Sequence, residues 1–186
     1  MTPTEDRSRP YRIEPEAHAT PQVGALVDML NYARMTTLHA VRGLTVEQLD
    51  ATPPGFHNSI GMLLAHIAAV DRMYQHLSFE GRGEREVPEF IPYCPWLTFG
   101  EEGGAVRGQP LEWYLAELEA SRGHTLAGLA QKDDVWLASR LTVPGFDYPN
   151  HHWAWFHVME DEVSHRGQIR LIRNIVAPRQ AAETAE

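Results

Sequence analysis

The sequence predicts an all-α fold, a four-helix bundle, on three observations. Four long stretches repeat apolar residues at steps of three and four, the period of a single helix face. The alternation expected of a half-buried strand is almost absent. Helix-starting and helix-stopping residues fall at the ends of the periodic stretches. A chain of 186 residues, 43% hydrophobic and 22% charged, suits one folded domain with a sizeable core. The expected organisation is an N-terminal arm over residues 1–19, the bundle over 20–178 and a tail over 179–186. The arm is polar and Pro-containing, and reads as a segment draped on the domain or partly disordered.

The first periodic stretch covers about 21–41, with Leu26, Leu30, Ala33, Thr37 and Val41 on one face. Thr45 to Gln48 then matches a capping box and predicts a short helix ending before Pro53-Pro54. The second long helix starts at Asn58 or Ser59, both good N-caps, and continues to about Leu77. The third begins at Pro110, a favourable first-turn residue, and carries Leu111, Leu115, Leu118, Leu126 and Leu129. The fourth runs from about His152 to Val176 and stops before Pro178. Residues 134–149 have room for a short extended piece but not for a sheet. At thirty residues, the link over 80–109 is far longer than a common bundle connection, so it is expected to cross the bundle end or act as a lid. Phe90, Tyr93, Trp96 and Phe99 within it point to a packed loop that covers or borders a site.

Charge excludes several function classes. With 16 basic and 25 acidic residues the formal net charge is −9, which argues against nucleic acid and against an anionic membrane surface as partners. No apolar run approaches the length of a membrane span. Cys94 is the only cysteine, so no internal disulfide forms, as suits a reducing compartment. The first residues show no signal-peptide pattern, and the expected location is the cytoplasm.

The fourth helix carries an anomaly. Steps of three and four from His165 reach Ile169, Ile172 and Val176 in one direction, and Asp161 and Val158 in the other. Two ionisable residues one turn apart therefore lie on the apolar stripe, where an unpaired charge costs several kcal/mol or is neutralised. His66 occupies the same kind of position in the second helix, among Met62, Leu63, Ala69, Val70 and Met73. Two imidazoles and a carboxylate match the ligand set of a divalent-metal site. Three protein ligands leave coordination positions open, as catalytic sites do. Such a set suits Zn, Ni, Fe or Mn alike. A hydrogen-bonded Asp–His pair in the core is the plainer alternative, and Glu162, beside Asp161, is the alternative carboxylate.

Three segments resemble a known family. "NSIGMLLAHIAAVD" (58–71) and "WFHVMEDEVSHRGQI" (155–169) look like the two signature segments of the DinB-like family, the DinB/YfiT-like metalloenzymes, and "GLTVEQLDATP" resembles its segment after the first helix. The resemblance covers about residues 20–176, and its most specific part is the late His-Arg-Gly-Gln motif. It implies a four-helix bundle of DinB/YfiT-like type with one metal ion held in its core by His66, the residue at 161, and His165. The family has histidine where this chain has Asp161, a change that lowers the site charge by one.

The function implied is that of a metal-dependent enzyme. It would be a hydrolase, or a transferase or isomerase using a low-molecular-weight thiol such as mycothiol, bacillithiol or glutathione, with an ion that lowers the pKa of bound water or thiol. The implied partners are a small-molecule substrate and, as bundles of this kind often pair, a second copy in a homodimer. The alternatives are a metal-binding or stress-associated bundle without turnover, and a metal-free dimeric interaction module. No general base is nameable from the motifs. Elsewhere, Asp71 is expected on a solvated face, His57, His151 and His152 on exposed loops, and His157 in packing or at the surface. Arg166 and Gln168 are expected to hydrogen-bond across the bundle, and Gly167 to mark a close helix contact beside the site.

Overall fold

The computed structural model describes residues 11–18, 20–83, 87–98, 106–143 and 149–178. Among them the chain is all-α. Helix α1 spans Pro21–Val41 and α2 spans Val46–Asp50. Helix α3 covers Ile60–Tyr74 and is prolonged by a π-helical turn over Gln75–Phe79. Then come a 3₁₀ turn at Pro88–Tyr93, α4 at Cys94–Leu97, α5 at Leu111–Leu129, α6 at Asp134–Ala138 and α7 at His151–Val176.

Local chemistry explains the boundaries. Pro21 enters α1 in its first turn, where the missing N–H is one that the helix would leave unsatisfied anyway. Thr45 and Gln48 close the capping box of α2 reciprocally. Ser59 accepts the Met62 N–H at the head of α3. Asn150 does the same for Trp153 at 2.8 Å, and α7 accordingly starts at His151, one residue before the expected position. The second long helix also overruns its expected end, reaching Phe79 through the π turn. Among the described residues of 134–149, Asp134–Ala138 form a short helix, and extended pairing is limited to one isolated antiparallel bridge between Arg140 and Asn150.

Four long helices carry the core. Helix α1 packs on α7, and α3 packs on both α5 and α7, while α1 and α5 meet less closely. An apolar groove of about 640 Å³ lies between α1 and α5, lined by Leu38, Val41, Leu111, Leu115 and Leu126 among others. The buried apolar residues form two clusters. One gathers Leu49, Ile60, Leu63, Tyr114 and Ile169. The other gathers Leu26, Leu30, Val70, Trp155 and Val158. Arg34, Arg122, Asp161, Glu162 and His165 lie along their helices where one cluster gives way to the other, and His66 sits among the α3 residues of the first.

The described part of the long link is ordered against the bundle: the Pro88–Tyr93 turn and α4 both pack on α3. Phe99 lies outside the described residues. At the other end of the chain, residues 11–18 of the arm sit on α1. There the Glu14 N–H donates to Asp28 Oδ2 at 2.9 Å, and His18 Nε2 lies 3.3 Å from Asp28 Oδ1. The rest of the expected arm and the whole of the tail fall outside the described residues. No helix among those described is long and apolar enough to cross a membrane.

Candidate metal centre

His66 from α3 and Asp161 and His165 from α7 converge at the contact between these helices. One ligand atom from each lies within 4.8 Å of the other two. Asp161 Oδ1 is 3.2 Å from His165 Nε2 and 3.5 Å from His66 Nε2. The imidazole rings meet edge to face, with centroids 4.8 Å apart. Both histidines are nearly buried, at 7% and 8% exposure, and the Asp161 side chain keeps 14%.

The three side chains form a group that could hold a cation. A carbonyl oxygen only accepts, so the 2.9 Å contact between His66 Nδ1 and Trp96 O places a proton on Nδ1. In the neutral ring Nε2 is then a lone pair, and it faces a carboxylate oxygen. Two lone pairs turned toward each other repel unless a proton or a metal ion lies between them. Asp161 Oδ2 adds a second indication, being buried with no hydrogen-bond partner among the described residues, an arrangement that costs on the order of 1–3 kcal/mol. Burial would raise the Asp161 carboxyl, but His165 and His66, whenever their rings are protonated at Nε2, outweigh it through hydrogen bonds and charge and hold the group far below the usual carboxylate range. Asp161 is therefore an anion at neutral pH. Imidazole nitrogens with an ionised carboxylate are a donor set that fits a divalent transition metal. Nearby Tyr74 is the converse case: burial and the Asp161 charge push its phenol up to about 12, so it keeps its proton.

Glu162, the alternative carboxylate, points elsewhere. It is fully buried and accepts Arg34 Nε at 2.9 Å and Arg122 Nη2 at 2.8 Å. The same two arginines hold Asp71: Arg34 Nη2 donates to Oδ2 at 2.9 Å and Arg122 Nε at 3.2 Å. Thr125 adds a hydrogen bond to Asp71 Oδ1 at 3.0 Å. Arg122 Nη1 also reaches the Leu30 carbonyl at 2.8 Å, and Arg34 Nη1 the Leu118 carbonyl. Two cations and two anions from all four long helices thus form a buried network of zero formal charge. For Asp71, burial raises the carboxyl, but the charges of Arg122 and Arg34 and the hydrogen bonds from Arg122 and Thr125 win, leaving it lowered.

Several expectations need correction. Asp71 is wholly buried in this network rather than on a solvated face. His151 is buried too, stacked on Trp136 with centroids 4.2 Å apart and with Nδ1 2.8 Å from Ser78 Oγ. Burial and the charge of Lys132 lower its pKa. A Cβ at Gly167 would meet nothing within 4 Å, so no close helix contact requires that glycine. Arg166 does reach across, donating to Thr36 Oγ1. His157 is half-buried, stacked on Trp153 and paired with Glu160. The burial of its members, though not their pairing, was detectable in principle, because Arg34, Arg122 and Glu162 each lie four residues after a core residue, at Leu30, Leu118 and Val158. The Trp96 carbonyl had no such signal, since a backbone acceptor leaves no mark in the sequence.

An all-α fold whose second and last long helices bring two histidines and a carboxylate together defines the class, a DinB-like helical protein with a candidate divalent-metal centre. Within that class, the chain belongs to the mycothiol-S-transferase family, whose family model matches residues 25–178. The crystal structure of a conserved protein from Enterococcus faecalis is similar in fold, with a TM-score of 0.63. It is 17% identical, and the match covers 81% of this chain and 94% of that one. No curated protein matches the sequence.

Proposed function

We propose that this protein is a metal-dependent thiol transferase, in which His66, Asp161 and His165 hold one divalent ion and a low-molecular-weight thiol is the cosubstrate. The observation that carries the reading is the convergence of the three ligand atoms within 4.8 Å, with one imidazole already turned lone-pair inward by the Trp96 carbonyl. Family membership supports the thiol branch over the hydrolase branch. When bound, a divalent ion at such a site would supply the lowering of thiol pKa that makes a nucleophile near neutral pH. The chain's own residues do the rest. Asp161 contributes one negative charge, the histidines orient their Nε2 atoms inward, and the apolar residues around them limit water. Tyr74, protonated up to about pH 12, is available as a hydrogen-bond donor near the carboxylate.

The deep burial of the ligand set favours one second reading, in which the ion only braces the core and nothing turns over. One experiment separates the two. The protein is loaded in turn with Zn, Ni, Fe and Mn, then assayed with mycothiol, bacillithiol or glutathione and an alkyl halide electrophile. In that reaction a C–S bond forms, the halide leaves and the thiol proton passes to solvent. Metal-dependent conjugation supports the transferase. Stoichiometric binding that raises the melting temperature without any turnover supports the bracing role.

A further inference from the structure

We infer that Trp96 is a positioning residue for the metal centre: its ring anchors the α3–α5 connection so that its own carbonyl fixes the tautomer of His66. The inference rests on the metal reading above for its purpose, though not for its geometry. Helix α4 is a single turn, too short to hold itself in place. What holds it is a run of aromatic contacts. The Trp96 ring lies edge-on to Tyr93 at 4.9 Å and to Trp113 of α5 at 5.6 Å. The Arg72 guanidinium of α3 sits 4.3 Å over the Tyr93 ring and pairs with Glu117 of α5 at 2.7 Å. Pro92 just before the turn and Pro95 within it restrict its backbone. The connection is thereby wedged against α3 and α5, and its carbonyl is delivered to His66 Nδ1 at 2.9 Å.

The consequence is chemical. A neutral imidazole carries one proton, and whichever nitrogen donates to a fixed acceptor leaves the other as the ligand atom. Without the carbonyl, His66 would divide between tautomers. One of them would point Nε2–H at Asp161 Oδ1, 3.5 Å away, and would satisfy the carboxylate with a proton instead of an ion. The loop therefore selects between a hydrogen-bonded pair and a metal-ready pair.

The test uses the full chain and two readouts besides activity. Zn²⁺ and Ni²⁺ affinities are measured by competition with a chromogenic chelator. The His66 tautomer in metal-free protein is read from long-range ¹⁵N–¹H correlations. The wild type should show His66 protonated on Nδ1. Trp96→Ala should bind metal about 10- to 100-fold more weakly, the range seen when an outer partner of a ligand histidine is lost, and should populate both tautomers. Trp96→Phe should recover most of both. Arg72→Met, at the outer end of the same contacts, should move both readouts in the same direction by less, and it decides the matter if Trp96→Ala fails to fold. A wild-type His66 protonated on Nε2, or unchanged affinity and tautomer in every folded variant, overturns the inference. If the wild type binds neither ion while its tautomer is as expected and shifts in the variants, the metal reading fails and the positioning of His66 stands.

Discussion

Asp161 and Glu162 are adjacent carboxylates with different partners, one facing two imidazoles and the other two arginines. This division sets the first prediction. His165→Ala should abolish stoichiometric metal by elemental analysis while the far-ultraviolet circular dichroism stays helical, because it removes a donor and leaves the arginine network whole. Full metal occupancy in that variant would reject the ligand assignment. Glu162→Gln should behave differently. It removes one charge from a buried network, at a cost of about 3–5 kcal/mol, the range for breaking a buried ion pair, and should lower the urea midpoint. At this scale the sequence was legible where a polar residue interrupts an apolar stripe, as at His66, Asp161 and His165. It was not legible where the partner comes from far along the chain, as with Arg34 and Glu162, 128 residues apart.

Helix ends and helix contacts follow local rules, and these could be read in advance. The first long helix keeps its expected bounds, and the capping box at Thr45 forms as its residues require. The π turn at Gln75–Phe79 could not be foreseen, because it answers to tertiary partners. Within it Ser78 Oγ accepts Trp155 Nε1–H at 2.9 Å, and Phe79 stacks on Trp155 at 4.8 Å. The opposite face of Phe79's surroundings supplies the next prediction. A Cβ on Gly128 of α5 would come within 2.3 Å of the Phe79 ring, whereas one on Gly167 of α7 would enter open space. Both glycines are inside helices, so both substitutions by Ala gain roughly 0.5–1 kcal/mol of helix preference. Gly167→Ala should keep that gain and raise the melting temperature. Gly128→Ala should lose it to overpacking, at about 1–3 kcal/mol, and melt lower. Equal melting shifts for the two would contradict the packing described.

At the scale of the molecule, the all-α class was legible because four apolar stripes need one another, and no amount of loop detail changes that. The buried ionic layer predicts the response to acid. Asp71 has a lowered carboxyl in the folded chain against an ordinary value of 3.8. Its stabilising contribution is therefore complete above that value and is lost as pH falls through it toward the lower folded value. Urea midpoints should decline modestly as pH falls below about 6.5, because the unfolded chain takes up the proton that buried His151 resists, and drop more steeply below about pH 4, where Asp71 is affected. Asp71→Asn should be less stable at pH 7 and show a smaller acid-dependent loss. A wild type whose midpoint rises on acidification would contradict this sign.

The arginine pair also acts as a compass bearing for α7. Successive residues on a helix point about 100° apart, so fixing the direction of Glu162 fixes that of Asp161. Arg34 and Arg122 reach Glu162 from α1 and α5, whereas His66 meets Asp161 from α3. Any twist of α7 about its axis must break those bonds before it can swing Asp161 off target. The aim of the centre is thus held by side chains that never touch it, and drift in that aim is resisted from across the molecule.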